Sequence, residues 1–263
     1  MSAGPFRPET LVAVDAVQRG LAIAGRGVGA EAVASKGGRD IVTPADVAVE
    51  DAVRGLVIEG LGFPVVGEER GGEASVDGTP YWLVDPICGT RNFASGLPLY
   101  CVNLALVEGR EVTVAVVGDP STGAIDVAER GRGAWSLKDG ARERLTTSDR
   151  SRTIVVEDGK SSGRRRERAA DFAAIAIRAD RWHFRSLGTT LALPYLAAGR
   201  IAAYAVFWVS AVHSAAGSLL VAEAGGTISD LDGLAWTIDS DSLLAAADSR
   251  LHAELLDLLR PTR

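Results

Sequence analysis

The stretch Trp82-Leu-Val-Asp-Pro-Ile-Cys-Gly-Thr-Arg-Asn-Phe93 decides most of what the sequence says about the fold. It begins as an apolar run typical of a buried strand, reaches an acid at Asp85, and then enters a Gly89-Thr90 turn that opens a helix. A carboxylate at a strand end and backbone N–H groups at a helix start are groups that hold a metal-bound phosphate. The stretch therefore predicts a phosphate-handling strand–turn–helix unit.

Length and composition restrict the class of protein. The chain has 263 residues, of which 47% are apolar, enough for one large domain or two packed layers and too many for a disordered chain. The formal net charge is −6, so there is no general basic field of the kind that nucleic-acid binding needs. The short basic run at 164–168 contains an acid and is interpreted as a solvated helix start or loop.

The apolar segments do not predict a membrane protein. The first one, residues 11–24, is interrupted by Asp15 and Arg19 and is typical of an amphipathic helix, not of a signal peptide. No run approaches the roughly 20 apolar residues that span a bilayer. The two cysteines, Cys88 and Cys101, fit reduced thiols. We therefore expect a cytoplasmic protein with a small-molecule ligand and neither a nucleic-acid nor a membrane partner.

The hydrophobic pattern divides the chain into two halves of one compact unit. Residues 1–147 read as two helices followed by mainly antiparallel, hairpin-connected strands, which carry the metal and phosphate motifs. After a polar stretch at 146–151, residues 148–263 alternate strands and helices, as an α/β layer does, and complete the site. The predicted helices are 11–24, 45–59, 166–177, 189–198, 213–224 and 249–259, and the main predicted strands are 63–69, 82–84, 100–107, 112–117, 153–157, 202–208 and 243–246.

Four further segments match one family pattern in order and spacing. They are Val42-Thr-Pro-Ala-Asp46, Gly67-Glu-Glu69, Arg185-Ser-Leu-Gly-Thr189 and the run from Ser214 to Gly226. With the opening stretch, they resemble the inositol monophosphatase family, whose signature reads Asp-Pro-Ile-Asp-Gly-Thr-x-Asn-Phe. The resemblance implies an αβαβα sandwich of layered helices and sheets, a phosphatase scaffold that uses Mg²⁺, and a homodimer.

The resemblance also implies roles for single residues. Glu68 and Asp85, with the carbonyl of Ile87, would hold the first Mg²⁺. Asp46 and Thr90 would form a hydrogen-bonded pair that orients a metal-bound water. The backbone N–H groups of Gly89 and Thr90 would hold the phosphate at the helix start.

Two residues depart from the family pattern at the second Mg²⁺. In the family this ion rests on the aspartate at the position of Asp85 and on two further aspartates. Here those two positions carry Cys88 and, ten residues before Glu223, His213. Thiolate and imidazole are poor ligands for Mg²⁺, so binding of this ion is expected to be weakened and the ordinary two-Mg²⁺ mechanism is in doubt.

The exchange leaves three interpretations open. In the first, the site has decayed and Cys88 and His213 only fill space. In the second, Asp85, Cys88 and His213 bind a softer ion such as Zn²⁺, because three protein ligands with an open position are typical of catalytic zinc. In the third, no second metal binds, and Cys88, with a pKa lowered at a helix start, works with His213 as acid, base or nucleophile.

The leading functional hypothesis is an enzyme of this family with a remodelled site and chemistry other than two-Mg²⁺ hydrolysis. Its substrate is predicted to be a specialised metabolite, either apolar or phosphorylated. The alternatives are a phosphomonoesterase with one Mg²⁺ or Zn²⁺, and a non-catalytic binding or regulatory protein. The candidate catalytic residues are Asp46, Glu68, Asp85, Cys88, Thr90 and His213.

The substrate side of the site also differs from the family. Val206 stands where members that hydrolyse inositol phosphates carry an acid that touches the sugar hydroxyls. Trp208, with Phe207 and Val209, predicts an apolar wall and hence a hydrophobic or non-sugar ligand. The alternative is that Phe207 and Trp208 are ordinary core or dimer-contact residues.

Overall fold

The structure is a computed structural model, and it describes residues 5–29, 34–37, 40–74 and 78–260. Within these ranges the helices are α1 (Pro8–Ala24), α2 (Pro44–Leu61), α3 (Thr90–Ala94), α4 (Gly163–Arg178), α5 (Ala192–Ala197), α6 (Ala211–Glu223) and α7 (Ser249–Leu259). The strands are β1 (Ala34–Gly37), β2 (Asp40–Val42), β3 (Val65–Gly67), β4 (Tyr81–Cys88), β5 (Cys101–Glu108), β6 (Glu111–Asp119), β7 (Ala124–Glu129), β8 (Ala134–Lys138), β9 (Ala141–Arg144), β10 (Thr153–Glu157), β11 (His183–Arg185), β12 (Ala203–Val206), β13 (Thr227–Ser229) and β14 (Leu243–Ala246).

The first large sheet has seven strands in the order β3-β4-β5-β6-β7-β8-β9. The pair β3–β4 is parallel and the others are antiparallel. One face is covered by α1 and α2, and Trp82, Leu104 and Val114 pack there against Val17 and Val53. Since β4 and β5 are buried on both faces, they read as nearly continuous apolar runs in the sequence.

The second sheet has five strands in the order β11-β10-β12-β14-β13 and mixes parallel with antiparallel pairs. Phe172 of α4 and Leu255 of α7 pack on one face, while Tyr204 and Leu243 join a core shared with α5, α6 and the first sheet. Helices α5 and α6 therefore form a middle layer between two sheets, and the architecture is the predicted αβαβα sandwich.

Helix α6 shows why the middle layer is apolar. Every residue from Ser214 to Val221 is buried, because the helix has a sheet on either side. At Gly217 a Cβ atom would lie 2.5 Å from Cβ of Leu193, so glycine is what lets α5 and α6 approach so closely. No helix in the described part of the chain combines the length and apolarity needed to cross a bilayer.

The sequence missed some short elements and misplaced some ends. Strand β9 was not predicted, since Ala141-Arg-Glu-Arg144 lies at a sheet edge and has no apolar alternation. The hairpin partner β1 was also missed. Strand β4 continues to Cys88, beyond the predicted end at Val84, and α5 begins at Ala192 instead of residue 189. Residues 189–191 form a turn, and the hydroxyl groups of Thr189 and Thr190 contact Cys88.

Candidate active site

An irregularity in β4 brings the two most informative side chains to one face. Asp85 pairs with Asn103 and Cys88 pairs with Cys101, so three steps along β4 match two along β5. Since side chains alternate between faces, residues three apart in a regular strand would point in opposite directions. The extra residue, next to Pro86, which cannot donate to the ladder, restores a common face for Asp85 and Cys88.

The two carboxylate oxygens of Asp85 have different surroundings. Oδ2 lies 2.6 Å from Nδ1 of His213, in the first turn of α6. Oδ1 is buried and has no hydrogen-bond partner among the described residues. A buried carboxylate oxygen without a partner is costly, so Oδ1 marks a place where a cation or another donor fits.

Asp85 and His213 titrate as a pair. Burial raises the pKa of Asp85 to about 6, although the His213 ring opposes this rise. Burial alone lowers the pKa of His213, but the charge of Asp85 and its hydrogen bond outweigh that effect and hold it well above the ordinary value. A proton is therefore retained between Nδ1 and Oδ2 at neutral pH.

Glu68 reaches the same site from the loop after β3, and a buried acid fixes that loop. Oε2 of Glu68 lies 3.8 Å from Nδ1 of His213. The fully buried Glu50 accepts hydrogen bonds from the backbone N–H groups of Glu69, at 2.7 Å, and Arg70, at 2.9 Å. Glu50 was not predicted to have a role, although its place one turn after Asp46 on α2 was the available signal.

Asp46 and Thr90 contact each other as the resemblance implied. The hydroxyl of Thr90 lies 3.0 Å from Oδ1 of Asp46 and 3.1 Å from the carbonyl oxygen of Ile87. Asp46 is fixed by the start of α2, where its Oδ2 accepts the backbone N–H of Thr43 at 2.8 Å. A helix cap thus orients the acid that faces Thr90.

Cys88 has surroundings opposite to those expected of a reactive thiol. It lies at the end of β4, is 7% exposed, and its Sγ is 2.9 Å from Oγ1 of Thr190. Its contact with Cys101, its burial and the charge of Asp85 raise its pKa well above the ordinary value. The predicted lowering of this pKa is therefore wrong, because the thiol is enclosed by the sheet and not exposed at a helix start.

The turn between β11 and α5 closes the site from the second half of the chain. Glu157 accepts the N–H of Gly188 and the hydroxyl of Ser186, both at 2.8 Å. The turn then presents Thr189, whose hydroxyl donates to the carbonyl of Cys88 at 2.8 Å. Gly89 has a φ of 104°, and a Cβ there would lie 2.8 Å from the carbonyl oxygen of Leu99, so the turn before α3 needs glycine.

Three of the four residues of the predicted apolar wall are buried in the core. Val206 is 2% exposed in the core that also contains Cys88, which leaves almost no surface for a ligand. Phe207 points to the opposite face of the second sheet and packs on Phe172 with ring centroids 5.9 Å apart, so it is a core residue. Trp208 is half-buried, and Val209 packs in the same core as Cys88.

Lys160, which the sequence did not single out, contacts the acidic cluster from the loop after β10. Its Nζ lies 3.2 Å from Oε1 of Glu68 and 2.7 Å from Oδ2 of Asp40. The side chain is 41% exposed. Because 92 residues separate Lys160 from Glu68, no local pattern in the sequence could have indicated this contact.

Replacing Lys160 by methionine is expected to tighten Mg²⁺ binding. The ammonium competes with a cation for Glu68, and an exposed ion pair of this kind is worth about 0.2–1 kcal/mol, or up to about a fivefold change in affinity. Isothermal titration with Mg²⁺ measures the change. Lys138→Met, at the exposed end of β8, is the control and should leave the affinity unchanged. Weaker binding by Lys160→Met would contradict the competition.

The residues present fit one Mg²⁺ but not two. Glu68, the unpartnered Oδ1 of Asp85 and the carbonyl of Ile87 are all hard oxygen donors, as Mg²⁺ requires. The donors at the second position are Asp85, Cys88 and His213, whose ligand atoms all lie within 4.8 Å of one another. Sulfur and nitrogen do not suit Mg²⁺, so this second set does not fit the ion that the family places there.

The similarity to known proteins extends over nearly the whole chain. The chain is 33% identical to the inositol-1-monophosphatase ImpA of Mycolicibacterium smegmatis over 240 residues, which are 89% of this chain and 85% of the relative. It is 36% identical to the histidinol-phosphatase of Mycobacterium tuberculosis over 226 residues, 83% and 84% of the two chains.

Solved structures agree with the sequence comparison. The extragenic suppressor protein suhB of Bartonella henselae superposes with a TM-score of 0.86 at 26% identity, covering 95% of this chain and 97% of that one. The inositol monophosphatase TM1415 of Thermotoga maritima gives a TM-score of 0.82 at 25% identity, with 95% of each chain covered. The sequence profile of the inositol monophosphatase family matches residues 7–262, so the chain belongs to this family.

Proposed function

We propose that the protein is an enzyme that hydrolyses a small phosphorylated metabolite through a remodelled site with one Mg²⁺ instead of two. This proposal rests on the different surroundings of the two carboxylate oxygens of Asp85. Its Oδ1 has no hydrogen-bond partner among the described residues, while its Oδ2 lies 2.6 Å from Nδ1 of His213. One carboxylate can therefore serve a single hard cation, but it does not bridge to a second one.

The named activities of the relatives support the choice of substrate class. An inositol-1-monophosphatase and a histidinol-phosphatase have a phosphate monoester in common and differ in the rest of the substrate. The carboxylate that the resemblance placed against sugar hydroxyls is absent, since its position is Val206. We therefore propose a phosphate monoester other than inositol phosphate.

Each residue of the site has a role in this reaction. A bound Mg²⁺ would neutralise phosphate charge and lower the pKa of a bound water. Thr90 donates its hydroxyl hydrogen to Asp46 and offers a lone pair to the attacking water, whose proton Asp46 can then receive. The Gly89-Thr90 turn would hold the phosphate. As the water oxygen bonds to phosphorus, the leaving oxygen departs with the electron pair of its broken bond and takes a proton from solvent. His213 keeps Asp85 in place.

Cys88 is not the nucleophile in this proposal. Its sulfur is enclosed by Thr190 and Cys101, and it is 7% exposed. A thiol that is buried and protonated does not attack phosphorus. The chemistry therefore rests on the oxygen donors and on Thr90 with Asp46.

Counting Mg²⁺ ions tests the proposal together with phosphate release. Titration calorimetry should give one Mg²⁺ per chain, and Asp85→Asn should remove it. Release of inorganic phosphate should be followed over a panel that includes inositol 1-phosphate, histidinol phosphate and 4-nitrophenyl phosphate. Binding of two Mg²⁺ per chain would overturn the proposal of a one-ion site. If no compound of the panel released phosphate in a Mg²⁺-dependent reaction, the proposal that the protein is a hydrolase would be overturned.

A further inference from the structure

One Mg²⁺ would use only one of the two carboxylate oxygens of Asp85. The other oxygen, together with the sulfur of Cys88 and the imidazole of His213, forms a second group of metal-ligating atoms. Asp85 and Cys88 come from the irregular end of β4, and His213 comes from the first turn of α6. Their oxygen, sulfur and nitrogen atoms all lie within 4.8 Å of one another. In a tetrahedral zinc site, bond lengths of 2.0–2.3 Å place neighbouring donors about 3.3–3.5 Å apart, so the three atoms need to shift by about 1 Å or less.

The combination of donor types selects a class of metal. One thiolate, one imidazole and one carboxylate suit Zn²⁺, and three protein ligands leave a fourth position open. The thiolate and the carboxylate of Asp85 together balance the charge of a divalent ion, while the imidazole adds none. Mg²⁺ is excluded by the same donors, because it prefers oxygen ligands.

A buried hydrogen-bond network holds two of these ligands in place. Thr190 directs its backbone N–H to Sγ of Cys88 at 3.3 Å, and its hydroxyl lies 2.9 Å from the same sulfur. The amide nitrogen of Asn103, a residue 2% exposed, donates to Oγ1 of Thr190 at 3.1 Å and to the carbonyl of His213 at 3.3 Å. The side chain of Asn103 thus links Thr190, which contacts the sulfur of Cys88, to the first turn of α6, which carries His213. Partners of this kind orient metal ligands, and space-filling residues do not need them.

We propose that Asp85, Cys88 and His213 form a binding site for a soft divalent metal ion, with Zn²⁺ as the expected ion. This inference builds on the proposed function, since it uses the Asp85 oxygen and the two side chains that Mg²⁺ does not engage. On binding, the thiol proton of Cys88 and the proton held between Asp85 and His213 pass to solvent, and three metal–ligand bonds form. The oxidation states do not change.

Cobalt spectroscopy tests the site without relying on activity. Co²⁺ is added to the metal-free protein in a buffer with a non-thiol reductant, and one equivalent should give a thiolate-to-cobalt charge-transfer band with intense tetrahedral d–d absorption. One equivalent of Zn²⁺ should abolish both. Cys88→Ser should lose the charge-transfer band, whereas Cys101→Ser, its cross-strand neighbour outside the donor group, should retain it.

Further variants separate this site from the Mg²⁺ site. His213→Asn should lower Co²⁺ affinity even if Cys88→Ser does not fold, and Asn103→Leu should lower it by about 10- to 100-fold through loss of ligand support. Glu68→Gln should impair Mg²⁺ binding and leave the cobalt spectrum unchanged. A featureless octahedral spectrum, or a charge-transfer band that follows Cys101 instead of Cys88, would overturn the inference. If the natural protein bound Co²⁺ at this site but bound no Mg²⁺, that result would instead count against the proposed function.

Discussion

The double variant Cys88→Asp, His213→Asp is expected to bind two Mg²⁺ per chain, one more than the single ion proposed for the natural sequence. The irregular β4 already directs position 88 to the face of Asp85, and α6 already directs the side chain of position 213 toward Asp85, since Nδ1 of His213 lies 2.6 Å from Oδ2. Two unit charges 4 Å apart interact by about 4 kcal/mol at an effective dielectric constant of 20. After partial loss to desolvation, we expect the second Mg²⁺ to bind at least about 100-fold more tightly, which is about 2.8 kcal/mol.

Calorimetric stoichiometry and thermal unfolding measure this gain. Without Mg²⁺ the double variant should be less stable than the natural protein, since it buries two more carboxyl groups near Asp85. Added Mg²⁺ should restore the stability, because a ligand that binds only the folded state stabilises it. Cys101→Ser is the matched control for a change at a neighbouring thiol and should keep one Mg²⁺. A double variant that folds and still binds one ion would show that the donor types do not decide the count.

Gly67→Ala is expected to cost about 3 kcal/mol or more of stability, the upper range for overpacking a core and disrupting a buried charge. A Cβ atom on Gly67 would lie 2.0 Å from Oε1 and 2.3 Å from Cδ of Glu50. The carboxylate cannot move away freely, since it accepts bonds from Glu69 and Arg70 and from the guanidinium of Arg54 at 3.0 Å. The same displacement should move Glu68 and abolish Mg²⁺ binding.

Urea unfolding gives the stability change, and Mg²⁺ calorimetry gives the effect on the site. Gly55→Ala is a suitable control, because Gly55 lies on the exposed face of α2 and a Cβ there meets no atom within 4 Å. That variant should gain about 0.5–1 kcal/mol from helix propensity. If Gly67→Ala retained both its unfolding free energy and its Mg²⁺ affinity, Glu50 could not be the residue that fixes Glu68.

The fold could be predicted because its signals are local and ordered along the chain. The strand with Asp85, the turn at Gly89, and the small-residue run of α6 each have a recognisable pattern, and their order matches one architecture. The same motifs predicted the residue types at the site, and the structure brings the ligand atoms of Asp85, Cys88 and His213 within 4.8 Å of one another. The replacement of two aspartates by Cys88 and His213 followed from the resemblance to the family, once the motifs had been aligned by their spacing.

What the sequence could not predict depends on contacts between distant segments. Enclosure of Cys88 by Thr190 and Cys101 reversed the expected direction of its pKa shift. Lys160 and Asn103 act across 92 and 110 residues, on Glu68 and His213. Such contacts arise from the packing of the two sheets on the middle layer. They are not accompanied by any periodic pattern in the sequence.

The packing of α6 has a consequence for the thermodynamics of ligand capture. Because the eight residues after His213 are enclosed by two sheets, the backbone that carries this imidazole is already rigid before any ligand arrives. Little conformational entropy therefore remains to be lost on association, and such preorganisation favours affinity. The identity of the ion captured should accordingly depend on the side chain at the first turn and not on any rearrangement of the helix.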